Sequence, residues 1–165
     1  LREEDSYHEL LFKGNQLSPS ATCVSREFAI SNRLYFDESP SMHIVEDYDY
    51  WLRASRKQAR FLFSDMCLSA YIQNDFSISR NIPRLNSNLI ALYVKHSFTE
   101  FGSMAERIIY SMGLSFKPSA RIVLYHLKKR NFLGCLRWSP LLFILFGPFL
   151  VLIFMQTSPK RNWQE

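Results

Sequence analysis

The sequence predicts a mixed α/β fold that continues into a helical extension and ends in a membrane-associated helix. Residues 60–63 and 68–73 have strand character, and in the second segment alternate side chains are apolar. Beyond Pro83 one helical pattern follows another. No charged residue occurs from residue 138 to residue 159, and residues 141–155 are almost wholly apolar.

The length of 165 residues suits one ordinary domain, and 47% hydrophobic residues exclude a wholly disordered chain. The five glycines do not form a glycine-rich phosphate loop. The first residue is leucine, which indicates the C-terminal part of a longer protein. We divide the chain into a mixed α/β part (1–83), a helical extension (84–137), a hydrophobic membrane segment (138–159) and a polar tail (160–165).

The elements of the first part follow from local patterns. Residues 1–14 are expected to be helix or loop ending near a glycine, and residues 20–24 a short strand. A helix of one or two turns is predicted over residues 26–30. Residues 31–45 lack a clean period and contain a proline, so we expect a loop.

A helix over residues 48–56 is predicted with Asp47 as its N-cap. Within it, Asp49 precedes Arg53 by one helical turn, a spacing that favours an ion pair. The extension is expected to form three helices, over residues 87–101, 103–112 and 119–129.

The charge distribution is asymmetric. Residues 1–116 carry 12 Lys and Arg against 14 Asp and Glu, a net charge of −2, whereas residues 117–165 carry 8 against 1, a net charge of +7. The basic tail indicates an anionic partner, and its apolar stretch favours lipid headgroups over nucleic acid. We therefore expect a membrane partner and no nucleic acid.

The uncharged segment is near the length that spans a bilayer core of about 30 Å, and Gly147-Pro148 in its middle would kink a helix. A short span, a re-entrant hairpin and a buried core helix all fit the pattern, with membrane insertion favoured. Four basic residues precede the segment, Lys128, Lys129, Arg130 and Arg137, and only Lys160 and Arg161 follow it. This excess predicts that residues 1–137 lie in the cytoplasm.

Four stretches carry the chemical information: GNQLSPSATCVSREF, LYFDES, VEDYDYWLRAS and AYIQNDFSISRN. With these motifs, about 70 of the 165 residues resemble the C-terminal half of the catalytic domain of family-2 glycosyltransferases, which have a GT-A (Rossmann-like) fold. Residues 1–83 would then be the acceptor-side part of that domain. The resemblance implies an inverting sugar transfer from a nucleotide-sugar donor to a glycan or lipid-linked acceptor, in cell-surface polysaccharide biosynthesis.

Inverting transfer needs a carboxylate that takes the proton from the attacking hydroxyl. Paired carboxylates at a loop-to-helix junction suit this task, since the helix N-terminus favours the ionised form. The resemblance assigns the catalytic base to Asp47 and a neighbouring role to Glu46. Asn15, Trp51 and Arg53 are the further candidates for substrate binding, although core packing is the simpler interpretation of Trp51. An alternative is that Asp47 only caps the helix.

The resemblance implies a divalent metal, Mg²⁺ or Mn²⁺, in the complete enzyme, bound mainly outside this chain. Asp47 and Asp49 form a D-x-D pair, but two such side chains at a helix start diverge, so we predict no metal ligand here. Where many family members have a histidine, this chain has Asn74, a poorer metal ligand. Three cysteines and four histidines show no metal-ligand spacing. The chain alone is expected to be inactive, and a non-catalytic membrane-anchored interaction domain is the alternative function.

Overall fold

The computed structural model describes residues 6–66, residue 70 and residues 77–157, with side chains to residue 153. The chain forms two compact units, Leu1–Asn81 and Ile82–Glu165. The first unit contains α1 (Ser6–Lys13), α2 (Arg26–Ser31) and α3 (Glu46–Arg56), with 3-10 turns at Pro19–Ala21 and Ile78–Arg80. The second contains α4 (Ile82–Glu100), α5 (Met104–Lys128) and α6 (Phe132–Thr157).

The predicted α/β fold, and with it the partial GT-A sheet, is wrong for the described part of the chain. Six α-helices and no strand are present there. Residues 60–63, predicted as a strand, are irregular, and Leu62 and Phe63 are 87% and 63% exposed. A strand must pair its backbone with a neighbour, and strand propensity depends on that packing. Apart from residue 70, which is not in a strand, the predicted strand 68–73 lies outside the described residues.

The predicted strand at residues 20–24 is also wrong, because local hydrogen bonds bend the chain there. The 3-10 turn Pro19–Ala21 occupies its first half. The Thr22 hydroxyl donates to the Ser18 carbonyl at 2.7 Å, and the Ser18 and Ser20 hydroxyls lie 3.0 Å apart. Serine and threonine side chains satisfy the backbone locally in this way and so compete with sheet pairing.

The core of the first unit lies between α1 and α3. Leu10, Leu11 and Leu52 are completely buried there. The Tyr48 hydroxyl donates to the Leu10 carbonyl at 2.7 Å, and the Ser6 and Ser55 hydroxyls are 2.9 Å apart. This packing fixes the end of α1 beside the start of α3.

The start of α3 differs from the prediction by two residues. Its N-cap is Val45, whose side chain makes no capping hydrogen bond, and the helix begins at Glu46. Asp47 is therefore not the N-cap but a residue of the first turn. Glu46, Asp47 and Asp49 still lie where the helix dipole favours negative charge.

In the second unit α5 is one helix where the sequence predicts two. Ser103 and Glu106 form a reciprocal capping box at its start, and hydrogen bonds from Ser103 hold the pKa of Glu106 below its ordinary value. The helix continues through Pro118 to Lys128. The predicted break between residues 112 and 119 is absent, because packing against α4 and α6 stabilises the central turns of α5.

Gly113 lets α5 and α6 approach each other closely. A Cβ on Gly113 would lie 3.1 Å from the Pro148 carbonyl oxygen and 3.1 Å from Leu152 Cδ2. Ser115 and Ser119 on the buried face of α5 bond their hydroxyls to the carbonyl four residues earlier. Close approach over small side chains is common between membrane helices.

The described part of the chain has one helical segment long and apolar enough to cross a membrane, Phe132–Ile153. Most of this segment is exposed, and only Leu145 and Leu152 are buried hydrophobic side chains on it. The helix runs without interruption through Gly147 and Pro148.

Candidate functional site

The first unit contains a pocket of about 570 Å³ at the start of α3. Its lining includes four carboxylates and several apolar side chains: Asp37, Glu38, Glu46 and Asp47, with Phe36 and Ile44 among the apolar ones. Among the described residues, no lysine or arginine lines it. Carboxylates beside an aromatic ring suit a polyhydroxylated ligand, because each carboxylate oxygen accepts hydrogen bonds and the ring packs on C–H groups.

Asn15 and Asp47, two of the residues chosen from the sequence, lie in direct contact. Gly14 ends α1 with φ +94°, a conformation suited to glycine, and donates to the Leu10 carbonyl at 2.9 Å. Asn15 follows, and its Oδ1 accepts from the Leu17 N–H at 3.0 Å. Its Nδ2 then donates to Asp47 Oδ2 at 3.2 Å. The end of α1 thus orients the amide that holds the carboxylate.

The Asp47 carboxylate is held at both oxygens. Oδ1 accepts from the Tyr48 N–H at 2.7 Å, while Oδ2 accepts from Asn15. Burial raises the pKa of Asp47 above its ordinary value, and the charge of Glu46 acts in the same direction. The two hydrogen bonds oppose that rise without cancelling it. A carboxylate of raised pKa is a stronger proton acceptor once it is ionised.

The segment before α3 shows backbone strain. Ile44 lines the pocket with φ +74°, a conformation that β-branched residues rarely adopt. Such strain, of order 1–3 kcal/mol, is concentrated at functional sites. Two residues further on, Glu46 lines the same pocket, and its Oε2 is buried with no hydrogen-bond partner among the described residues. That oxygen is free to accept a hydrogen bond from a ligand.

Arg53 and Trp51 do not line this pocket. Arg53 Nε donates to Asp49 Oδ2 at 2.7 Å, and another guanidinium nitrogen donates to the Tyr35 carbonyl at 2.5 Å. Trp51 is almost fully buried and packs edge-on against Tyr50. The structure therefore brings Asn15, Glu46 and Asp47 together, whereas Arg53 forms an ion pair with Asp49 and Trp51 packs on Tyr50.

The two carboxylates of the D-x-D pair have different surroundings. Asp49 is completely buried in its ion pair with Arg53, whereas Asp47 lines the pocket. Residues 6–66, 70 and 77–157 contain no cluster of three or more His, Cys, Asp or Glu side chains able to hold a metal ion. Asn74 and Asp75, considered for the closing loop, lie outside the described residues.

Sequence reasoning missed the wall formed by the F-D-E turn. Phe36 packs on Tyr50 with ring centroids 5.0 Å apart and lines the pocket, and His43 lines it as well. Asp37 Oδ1 accepts from the Ser39 N–H at 3.0 Å and closes the turn. The motif LYFDES contained the signal for Phe36 and Asp37, but nothing in the sequence pattern indicated His43.

Comparisons with known proteins add no assignment: no family model, no curated protein and no solved structure matches the chain.

Proposed function

We propose that this chain supplies the acceptor site of an inverting glycosyltransferase, which transfers a sugar from a nucleotide-sugar donor to a glycan or lipid-linked acceptor. The proposal rests on the position and surroundings of Asp47. It lines a pocket, is oriented by Asn15 and has a pKa raised by burial. The sequence resemblance supports the reaction class, and cell-surface polysaccharide synthesis is the process it favours.

In this reaction Asp47 takes the proton from the acceptor hydroxyl. The hydroxyl oxygen attacks the anomeric carbon of the donor sugar while the bond to the nucleoside diphosphate breaks on the opposite face, so the configuration inverts. The leaving diphosphate carries away the bonding electrons, and the proton stays on Asp47 until it passes to water. A base positioned in this way contributes about 10²- to 10⁴-fold to the rate.

The other side chains of the pocket would orient the acceptor. Glu46 Oε2 has a free acceptor position, and the Phe36 ring forms one wall. Arg53, paired with Asp49 and bonded to the Tyr35 carbonyl, would hold the loop that carries Phe36. We place donor recognition, with any divalent cation, outside the described residues, and the base mechanism requires no metal at Asp47.

The membrane part of the proposal depends on α6. An exposed apolar helix of this length would insert into a bilayer. The uncharged segment is preceded by four basic residues and followed by only Lys160 and Arg161, and this excess supports a cytoplasmic location for the proposed catalytic part. A lipid-linked acceptor would then reach the enzyme from the cytoplasmic leaflet.

The experiment is a screen of nucleotide sugars with membranes that contain the complete protein to which this chain belongs. Release of nucleoside diphosphate and transfer of labelled sugar are measured, and NMR of the product determines the anomeric configuration. Acceptor-dependent transfer with inversion supports the proposal. Retention of configuration, or no transfer from any donor, contradicts it and leaves the non-catalytic interaction domain.

A further inference from the structure

We propose that the corner between α5 and α6 is a binding site for anionic phospholipid headgroups. We define the basic corner as Lys128, Lys129, Arg130 and Arg137. The inference rests on the proposed membrane insertion and adds the depth of the helix and the class of lipid that it contacts.

The first observation is the register of α6. Twenty uncharged residues follow Arg137 up to Thr157 at the end of the helix. At 1.5 Å per residue they cover about 30 Å, the thickness of a bilayer core. If they span that core, Arg137 and the preceding turn lie at headgroup level. The long arginine side chain reaches the interface from there.

The second observation is the mixture of side chains at the corner. Phe132, Leu133 and Leu136 in the first turns of α6 are 72%, 81% and 68% exposed. The four basic residues around them are exposed as well. Exposed apolar side chains that lie beside cations at headgroup level are the pattern of an interfacial membrane site.

The third observation is that the backbone of the corner is already satisfied. Asn131 donates its N–H to the His126 carbonyl at 2.9 Å, and its side chain accepts from Gly134 N–H at 3.0 Å. Gly134 lets the His126 ring lie against α6, since a Cβ there would clash with Nδ1 of that ring. Arg130 adopts φ +53° to close the turn. These contacts hold the turn in place, and the basic side chains take no part in them.

The fourth observation is the charge balance around the corner. From Arg107 to Gln164 the sequence has nine basic residues and no acidic one. None of the four cations forms an ion pair within the described part of the chain. The charge is therefore available to an external anion. Each such residue strengthens attachment to an anionic leaflet by about fivefold.

The test compares lipid retention by the purified full chain. The protein in mild detergent is mixed with equimolar phosphatidylglycerol and phosphatidylcholine, and the bound lipids are counted by native mass spectrometry. We expect phosphatidylglycerol to be retained at least about tenfold more than phosphatidylcholine. The triple variant Lys128→Gln/Lys129→Gln/Arg130→Gln should lose most of this preference.

A matched control carries the same change of charge elsewhere: Arg26→Gln/Arg33→Gln/Lys57→Gln, all exposed in the first unit. It should retain the preference. Three results would overturn the inference. The first is equal retention of the two lipids, and the second is an equal loss of lipid preference in both triple variants. The third is displacement of phosphatidylglycerol by a stoichiometric amount of a single-stranded oligonucleotide. Carbonate extraction of membranes separates the two proposals: a chain that resists extraction but shows no lipid preference contradicts only the basic corner.

Discussion

At the scale of single residues, Asp47 has the properties of a functional group rather than a stabilising one. Burial makes its carboxylate harder to ionise in the folded protein, so the pKa is raised. A carboxyl group whose pKa is raised by folding stabilises the fold while it is protonated, at pH values below its ordinary, unfolded pKa. This stabilisation is lost as the pH rises through the pKa of the folded state. Above its raised pKa the ionised Asp47 therefore destabilises the fold, which is common for catalytic groups.

The pH profile of transfer should report this carboxylate. Because the pKa of Asp47 is raised, the acid limb of kcat/KM should lie above the ordinary aspartate pKa of about 3.9. Asn15→Ala removes a hydrogen bond that favours the ionised form, so the limb should move to still higher pH. The neighbouring exposed residue supplies the control, Gln16→Ala, which should leave the limb in place. A limb that stays fixed or moves to lower pH in Asn15→Ala would refute the positioning role of Asn15.

At the scale of elements, α5 and α6 approach each other closely over Gly113. The Pro148 carbonyl there belongs to the backbone of α6 and cannot turn aside as a side chain can. Gly147 offers a contrast in the same unit, since a Cβ at that position would meet no atom within 4 Å.

Gly113→Val should therefore destabilise the second unit by about 1–3 kcal/mol, the usual penalty for overpacking. Gly147→Val makes the same chemical change at an open position and should have a much smaller effect. Thermal unfolding in detergent, followed by circular dichroism, measures both variants. Equal melting temperatures in the two variants would show that α5 and α6 do not pack as closely as described.

The sequence could predict helices, but not that the described residues would contain no sheet. The apolar spacing and acidic first turn of residues 48–56 are local features, and a helix satisfies its own backbone hydrogen bonds. The predicted start of α3 therefore lies within two residues of the observed start. Strand character at residues 60–63 depends on a partner strand, and Leu62 and Phe63 have none within the described residues. The break predicted in α5 was wrong because tertiary packing maintains the helix through Pro118.

The candidate site was predictable only in part. The motif VEDYDYWLRAS placed Glu46 and Asp47 together because they are adjacent in the chain. The contact of Asn15 with Asp47 depends on α1 packing against α3, which no local pattern contains. Arg53 was chosen as a substrate ligand, but its spacing from Asp49 was the better guide, since the two form the ion pair.

At the scale of the whole molecule, the proposed membrane insertion depends on α6. Ile144 is exposed on α6 and lies about 10 Å beyond Arg137, inside the proposed core of the bilayer. An arginine there costs about 2.5–3.5 kcal/mol on insertion scales, so Ile144→Arg should release most of the chain from membranes on carbonate extraction. Phe132→Arg, at headgroup level, is the matched control and should remain inserted. Equal extraction of both variants would contradict this register.

The central claim is that Asp47 is the base of a sugar-transfer reaction. It is tested most directly by the turnover of the complete membrane-bound protein carrying Asp47→Asn, compared with Asp65→Asn, an exposed aspartate that does not line the pocket. Asp47→Asn should lower kcat by about 10²- to 10⁴-fold with an unchanged circular dichroism spectrum, whereas Asp65→Asn should keep wild-type turnover. An Asp47→Asn protein that transfers sugar at the wild-type rate would contradict the account.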